Sequence, residues 1–270
     1  MLKVYALLFS LFTLSISPFF VQPVQAKELS QAGFEEYIKA LKAEALTKGY
    51  SQDLIDSSFA NVKFHKRAVV ADRKQPEKVE TLDTYLPKRV PGWKIKKARK
   101  LYKEHQEILT EIGNKYDVQP RFIVALWGLE TNFGKFTGGY NVISALSTLA
   151  YEGRREAFFK KQLWASLTIL KQGHINIADM KGSWAGAMGQ NQFMPTSFLA
   201  YSVDGDGDGK KDIWHNQVDI FASMANYLQK EGWNGDLTWG RQVKLPSNFD
   251  VGLAIPKNTG SRKNCLYFWE

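Results

Sequence analysis

The residue with the most informative chemical setting in the sequence is Glu130. Every residue from 122 to 129 is apolar or glycine, and Pro120 is well placed for the first turn of a helix. A helix that is apolar on every side is expected to be buried. Burial and the negative end of the helix dipole would then both raise the pKa of the Glu130 carboxyl group. A carboxyl group that stays protonated near neutral pH is what a general acid for glycosidic cleavage needs.

Taken alone, a glutamate at a helix end is more often a cap or a structural ion pair than a catalytic group. The residues around Glu130 favour the catalytic interpretation, because WGLETNFG at 127–134 resembles the catalytic-glutamate segment of the membrane-bound lytic murein transglycosylase B family. Members of that family cut bacterial peptidoglycan. Further segments continue the resemblance in the family's order, at 142–151, 153–155, 183–195 and 204–214. The resemblance covers the chain from about residue 34 to about residue 253.

The resemblance implies a mostly α-helical fold of the α+β type. It implies a transglycosylase domain at 27–253, with a helical N-terminal part and a lysozyme-like catalytic core at about 106–235. A small EF-hand-like loop at 204–215 would be inserted in that core.

Local patterns also indicate a helical chain. Apolar residues at helical spacing predict helices at 34–47, 101–116, 155–170 and 218–229. The turn signal of Pro91 and Gly92 is expected to start another helix. The polar segment 64–90 is expected to be irregular, and 242–245 is the best candidate for a short strand.

The family resemblance implies a set of residues that act on the substrate. It assigns the catalytic role to Glu130. Ser183 matches a family serine near the catalytic glutamate, and Gln192 matches a glutamine that contacts the substrate sugar. Asn141 and Tyr151 are expected to line the same cleft. Without the resemblance, the glycine- and alanine-rich stretch around Ser183 would be interpreted as a tight helix-packing loop.

An acidic stretch follows the spacing of a calcium-binding EF-hand loop. Asp204, Asp206 and Asp208 occupy the first, third and fifth positions, and a glycine occupies the sixth. Three carboxylates at alternate positions converge on one point, and the glycine permits the sharp turn. The sequence therefore predicts a Ca²⁺ site with a structural role, the alternative being a solvated acidic turn.

The remaining positions of this loop agree less well with an EF-hand. Lys210 at the seventh position would contribute its backbone carbonyl, and Asp212 lies at the ninth. His215 stands at the twelfth, where an EF-hand has a bidentate glutamate. Asp219, a few residues on, is expected to supply the closing carboxylate, as a comparable residue does in the family.

The two ends of the chain differ from the middle. Residues 1–26 have a positive start, an apolar stretch and small residues at 24–26, which is typical of a cleaved secretory signal. No cysteine lies near that site to take a lipid anchor, so the protein is predicted to be periplasmic, with no stable membrane span after cleavage. Residues 254–270 depart from the family pattern and are expected to form a divergent, poorly ordered tail.

Composition limits the remaining possibilities. The net charge is +9, which suits nucleic acid or an anionic polymer such as peptidoglycan, although a solvated lysine-rich surface explains most of it. No nucleic-acid partner is expected. Cys265 is the only cysteine, so an intrachain disulfide is excluded. No phosphate-binding loop, dinucleotide fingerprint or zinc-ligand cluster is present, and no catalytic cofactor is expected. The predicted partners are glycan strands and, through the family, cell-wall synthases.

The resemblance implies a mechanism that needs a single carboxyl group. Glu130 would protonate the oxygen between N-acetylmuramic acid and N-acetylglucosamine, then act as a base on the C6 hydroxyl of the muramic residue. That hydroxyl would attack C1 and close a 1,6-anhydro ring without water. Two alternatives remain at this point: a muramidase that uses water, and a wall-binding protein without catalysis.

Overall fold

The computed structural model describes residues 29–74, 81–237, 240, 244 and 246–250. The predicted signal peptide and tail lie outside these residues, as does the strand expected at 242–245 except for residue 244. The described chain is mostly α-helical, which confirms the predicted fold class. Its helices are α1 (Gln31–Thr47), α2 (Gln52–Phe59), α3 (Lys66–Arg73), α4 (Leu82–Arg89), α5 (Gly92–Glu104), α6 (Gln106–Tyr116), α7 (Pro120–Thr131), α8 (Val142–Glu152), α9 (Glu156–Lys171), α10 (Pro195–Tyr201) and α11 (Gln217–Lys230).

Strands β1 (Tyr140–Asn141) and β2 (Lys181–Gly182) form a two-stranded antiparallel sheet. Among the described helices, none combines the length and the apolar character needed to span a bilayer.

Short polar side chains start several helices. The Ser30 hydroxyl accepts a hydrogen bond from the Gly33 amide at the start of α1, at 3.0 Å. The Asn216 side chain does the same at the start of α11, where the Val218 amide donates at 2.9 Å. Such caps satisfy backbone donors that the first helical turn leaves unpaired. Pro120 occupies the first turn of α7, as predicted.

Most of the predicted helices are confirmed. α1, α9 and α11 match them closely, and Gly92 starts α5. The helix expected at 101–116 is instead two helices, α5 and α6, that meet at His105. The ring of His105 lies edge-on against Trp127 and Phe221, with centroids 5.8 and 5.5 Å apart. His105 leaves helical geometry where it makes these contacts, and the apolar spacing does not encode that break.

The prediction that 64–90 is irregular is wrong, because α3 and α4 lie in it. α3 buries Ala68 and the carboxylate of Asp72. Asp72 pairs with the guanidinium groups of both Arg154 and Arg155, which follow α8. These partners are distant in sequence, so the local pattern of 64–90 gives no sign of the contacts that hold α3.

The buried apolar side chains form two clusters. The α8 cluster draws mainly on α1, α2, α8, α9 and α10, together with Phe193 and Trp214. The α7 cluster draws on α6, α7 and α11, and includes Trp127 and Met224. The cleft that holds Glu130 is lined by residues of both clusters, so it lies at the seam between them.

Candidate active site

Glu130 lies in the last turn of α7, one residue before its end. The chain then reverses through left-handed backbone at Phe133 (φ 60°) and Gly134 (φ 77°). That conformation is rare for a bulky residue. The left-handed conformation of Phe133 is held here because its ring folds back under the helix, with its centroid 5.5 Å from that of the Trp127 ring. Gly128 leaves the room, since a Cβ at that position would lie 2.7 Å from the Phe133 ring.

α7 is buried on one side only, which corrects the expectation that it is buried all round. Ile123, Val124 and Trp127 face the α7 cluster. On the other side Leu129 is 51 % exposed, and Glu130 beside it is also exposed. An apolar sequence therefore does not enclose this helix, because Leu126 and Glu130 line the cleft and Leu129 stays exposed beside them.

The Glu130 carboxyl group has a raised pKa. The cause is loss of hydration in the cleft, which disfavours the charged form, and the predicted direction is confirmed. Glu130 is nevertheless open to solvent, so the desolvation is partial. Within the described part of the chain, the carboxyl group makes no hydrogen bond or ion pair. A partly desolvated acid without a protein partner is free to exchange a proton with a bound molecule.

The cleft beside Glu130 has a volume of about 210 Å³. It is lined by Leu126, Glu130, Asn191, Gln192, Phe193, Met194, Ser197, Met224 and Tyr227. Among the described residues, Glu130 is the only acidic one in this lining. Apolar walls with a few polar groups are typical of sites that bind a small ring and fix its orientation.

Gln192 lies opposite Glu130 in this cleft, in left-handed backbone at φ 50°. Its amide nitrogen donates to the carbonyls of Thr137 and Gly189, at 3.1 and 3.0 Å. These bonds orient the side chain, while its amide oxygen accepts no hydrogen bond from the described residues. An oriented acceptor in the cleft can receive a hydroxyl or amide hydrogen from a sugar. The structure thus brings together Glu130 and Gln192, as the sequence predicts.

Tyr227 and Met224 also line the cleft, and the sequence analysis did not find them. They lie three residues apart on α11 and so share one face of that helix. Tyr227 is packed between the rings of Phe193 and Tyr201, at centroid distances of 5.7 and 5.1 Å. The helical spacing of Met224 and Tyr227 was visible in the sequence, but the same spacing is typical of core residues.

Ser183 and Asn141 do not appear among the residues that line the cleft in the described chain. The Ser183 hydroxyl accepts hydrogen bonds from the amides of Ala185 and Ala187, at 3.3 and 3.1 Å. The Asn141 side chain caps α8 by accepting from the Ser144 amide at 2.9 Å. Both side chains therefore have structural partners, and their contact with substrate stays a prediction.

Tyr151 does not line the cleft, which corrects its predicted role. It is 2 % exposed and its ring packs edge-on against Phe34 and Phe64 and tilted against Tyr37, with ring centroids 5.5 to 5.6 Å apart. Its hydroxyl donates to the Ser30 carbonyl at 3.3 Å. The residue holds the start of α1 against α8, and the sequence pattern could not distinguish that burial from exposure in a groove.

The acidic loop brings three carboxylates together. Oxygens of Asp204, Asp206 and Asp219 lie within 4.8 Å of one another. The amides of Gly207 and Gly209 donate to Asp204 at 2.7 and 2.8 Å, and such bonds hold its pKa below the ordinary value. Asp219 is fully buried, and desolvation raises its pKa. Three close carboxylates, one of them buried, form a set of donors that suits a hard cation.

The other predicted ligands of this loop have different positions. Asp208 accepts from the Lys210 amide at 2.8 Å, and Asp212 accepts from the amides of Trp214 and His215, each at 2.9 Å. Within the described residues neither Asp208 nor Asp212 belongs to the carboxylate cluster. An EF-hand arrangement of all the predicted ligands is therefore not confirmed.

Comparison with protein families gives one extended match. The family described as "Transglycosylase SLT domain" matches residues 33–266. Among curated proteins, the chain is similar to membrane-bound lytic murein transglycosylase B of Escherichia coli strain K12. The two are 34 % identical over 160 residues, which is 57 % of this chain and 44 % of the relative.

Solved structures of similar fold include SltB3 from Pseudomonas aeruginosa in complex with NAG-NAM-pentapeptide. It is 43 % identical, with a TM-score of 0.79 over 82 % of this chain and 59 % of SltB3. The Escherichia coli lytic transglycosylase Slt35 in complex with calcium is 27 % identical. Its TM-score is 0.64, over 74 % of this chain and 63 % of Slt35. The chain thus spans less than two thirds of each of these relatives.

Proposed function

The chain belongs to the transglycosylase SLT domain family, and from this membership and the Glu130 cleft we propose that it is a lytic transglycosylase that cleaves peptidoglycan. The observation that carries the proposal is Glu130 itself. It is a carboxyl group with a raised pKa and no partner among the described residues, set in a cleft between apolar walls. The relative SltB3, whose structure holds a peptidoglycan fragment, supports the choice of substrate.

A single carboxyl group determines the type of reaction we propose. Most glycosidases that use water or a covalent intermediate carry a second carboxyl group on the other side of the scissile bond. Glu130 has no such companion among the described residues that line the cleft. A reaction in which one group serves first as acid and then as base fits this lining best.

In the first step Glu130 donates its proton to the oxygen that links C1 of N-acetylmuramic acid to N-acetylglucosamine. The C1–O bond breaks, and the N-acetylglucosamine end leaves as an alcohol. The carboxylate of Glu130 then takes the proton from the C6 hydroxyl of the muramic residue. The C6 oxygen bonds to C1 and closes the 1,6-anhydro ring, so that Glu130 ends protonated and no water is consumed.

The other side chains of the cleft would bind and orient the sugar. Gln192 would accept a hydrogen bond through its free amide oxygen, and Tyr227 would offer a phenol on the opposite wall. Phe193 and Met194 give the apolar surface on which a sugar ring packs. The Ser183 hydroxyl accepts from two amides and keeps its O–H, which would donate to the carbonyl of the muramic N-acetyl group.

The experiment that tests the proposal is mass spectrometry of the products released from purified sacculi. Anhydro-muramic ends are the expected result. Reducing muramic ends would replace the proposal with a muramidase that uses water, and absence of soluble products would indicate a wall-binding protein. Because peptidoglycan lies outside the cytoplasmic membrane, the proposal also places the protein in the periplasm, which cell fractionation tests.

We further propose that the acidic loop binds Ca²⁺ through Asp204, Asp206 and Asp219. The residues fit the ion, because their oxygens converge and the buried Asp219 carboxylate needs a compensating charge. The calcium complex of Slt35 supports the choice of metal. Bound calcium would neutralise the cluster and brace the loop.

Calcium at about 100 times its Kd is expected to stabilise the protein by about 2.7 kcal/mol, measured as a rise in Tm. Asp206→Ala should abolish that rise. Asp208→Ala is the matched control, since Asp208 lies in the same loop outside the cluster, and it should leave the rise intact. Equal losses in both variants would favour the EF-hand ligand set instead, and a flat Tm in the wild type would exclude the site.

A further inference from the structure

Gln190 forms hydrogen bonds with residues of both apolar clusters. Its side-chain oxygen accepts from the Trp127 indole N–H at 2.6 Å. Its side-chain nitrogen donates to the Trp214 carbonyl at 2.9 Å, and its backbone N–H donates to the Ile213 carbonyl at 2.8 Å. Trp127 belongs to the α7 cluster, whereas Ile213 and Trp214 belong to the α8 cluster. Gln190 therefore joins the two clusters across their seam.

A second contact links Gln190 to the end of α7. The Thr131 hydroxyl, 1 % exposed, lies 3.2 Å from the Gln190 carbonyl and 3.3 Å from the Trp127 carbonyl, and it accepts from the Gly134 amide at 3.0 Å. Thr131 follows Glu130 directly in the chain. Thr131, one residue after Glu130, and Trp127, three residues before it, therefore both form hydrogen bonds with Gln190.

The packing around Gln190 leaves little freedom. A Cβ at Gly134 would lie 2.3 Å from the Gln190 side-chain oxygen, and a Cβ at Gly189 would lie 2.6 Å from the Ile213 carbonyl. Both glycines have positive φ. Backbone on either side therefore approaches the Gln190 side chain and its neighbours as closely as glycine allows.

We propose that Gln190 is a positioning residue, which holds the Glu130 end of α7 at a fixed distance from the Gln192 wall of the cleft. Gln192 is two residues further along the same turn. The amide of Gln190 thus sets how far apart the two walls stand, and with that the placement and hydration of the Glu130 carboxyl group. For catalysis the inference rests on the proposed function, but the geometry it describes exists without substrate.

Proton transfer depends steeply on the placement of the acid. A displacement of about 1 Å can cost on the order of a hundredfold in rate. Because Glu130 acts in the transition state, loss of its position is expected to lower kcat much more than it changes KM. A wider cleft also admits water, and hydration moves the pKa of a partly desolvated carboxyl group back toward its ordinary value.

The test compares the wild type with Gln190→Met, which keeps an unbranched side chain of similar length and removes both amide hydrogen bonds. The pKa of Glu130 is measured by NMR titration of its side-chain carboxyl carbon in the protein without substrate. We expect it to fall toward the ordinary value in Gln190→Met. Gln172→Met, at an exposed position after α9, is the matched control and should leave it unchanged.

Kinetics with sacculi give the second measurement. Gln190→Met should lower kcat by on the order of a hundredfold, with a much smaller change in KM, and the fall of kcat at alkaline pH should begin at lower pH. If Gln190→Met does not fold, Thr131→Val takes its place, and Thr131→Ser, which restores the hydroxyl, should recover kcat. A folded variant with wild-type Glu130 pKa and wild-type kcat overturns the inference. If the wild type itself releases no products, the proposed function fails, while the NMR titration still decides the role of Gln190.

Discussion

α7 and α8 have similar compositions but different surroundings. Both are rich in apolar residues and carry one acidic residue close to the end. α8 is buried at every position from Val142 to Tyr151, and its acidic Glu152 pairs with Arg73. α7 is open on one side, and its acidic Glu130 has no partner among the described residues. Similar composition thus yields a structural helix in one case and a candidate catalytic helix in the other.

Comparison of the two helices shows what distinguishes a helix that carries a functional site from a helix that only builds the core. On α8, apolar side chains are all used for packing, and the carboxylate is used for an ion pair. On α7, Leu126 lines a cleft beside Glu130, and the carboxyl group remains available. Apolar surface next to an unpaired acid indicates a functional site more strongly than either feature alone.

Glu130→Gln tests this comparison with the largest expected effect. The amide cannot donate and then accept a proton, so turnover should fall by roughly a hundred- to ten-thousandfold. Circular dichroism and sacculus binding should remain those of the wild type, because the carboxyl group makes no hydrogen bond or ion pair with the described residues. A loss of less than about tenfold would remove Glu130 from the chemical step.

The pH dependence of turnover follows from the raised pKa of Glu130. The acid must be protonated for the first step, so kcat should fall as pH rises through that pKa. The same shift affects folding. A carboxyl group whose folded pKa is raised favours the folded state fully only below its unfolded pKa, and this contribution is lost as pH rises through the folded pKa. Glu130→Gln should therefore have a Tm equal to or slightly above that of the wild type at neutral pH, with the difference smaller in acid.

Truncation of one leucine on each helix tests the packing side of the comparison. Leu146 on α8 is fully buried and contacts the chain at Gly186. Leu146→Ala should lower the free energy of unfolding by about 2–5 kcal/mol, the usual cost of a core cavity. Leu129→Ala on α7 should change it by less than about 0.5 kcal/mol, as for exposed positions. Urea denaturation measures both, and similar losses would show that α7 is as enclosed as α8.

The smallest effect on turnover is expected for Tyr151→Phe, at the end of α8. The variant loses the hydrogen bonds between the Tyr151 hydroxyl and the backbone of Ser30, each worth about 1 kcal/mol. Because Tyr151 does not line the cleft, kcat and KM with sacculi should stay at the wild-type values. A kinetic defect in a protein of normal Tm would return Tyr151 to the substrate site.

The sequence allowed Glu130, the direction of its pKa shift and most long helices to be predicted, because these depend on neighbours within one or two helical turns. Gln192 was found through the family motif. Tyr227 and Gln190 were not identified, since their roles depend on partners such as Trp127 that lie far away in the chain. Tyr151 was misplaced for the same reason. A tyrosine at the end of an apolar helix gives no sign of which distant side chains cover it.

The position of the cleft at the seam of two clusters affects how a polymer could enter and leave. A groove cut into one core can widen only if that core loses packing. A groove at a seam can widen while each cluster stays packed, but here it does so only if the Gln190 hydrogen bonds across the seam break. Under the proposed function, a long glycan strand would enter such an opening sideways, since it cannot thread into an enclosed pocket. The same opening would let both new chain ends depart after a single cut.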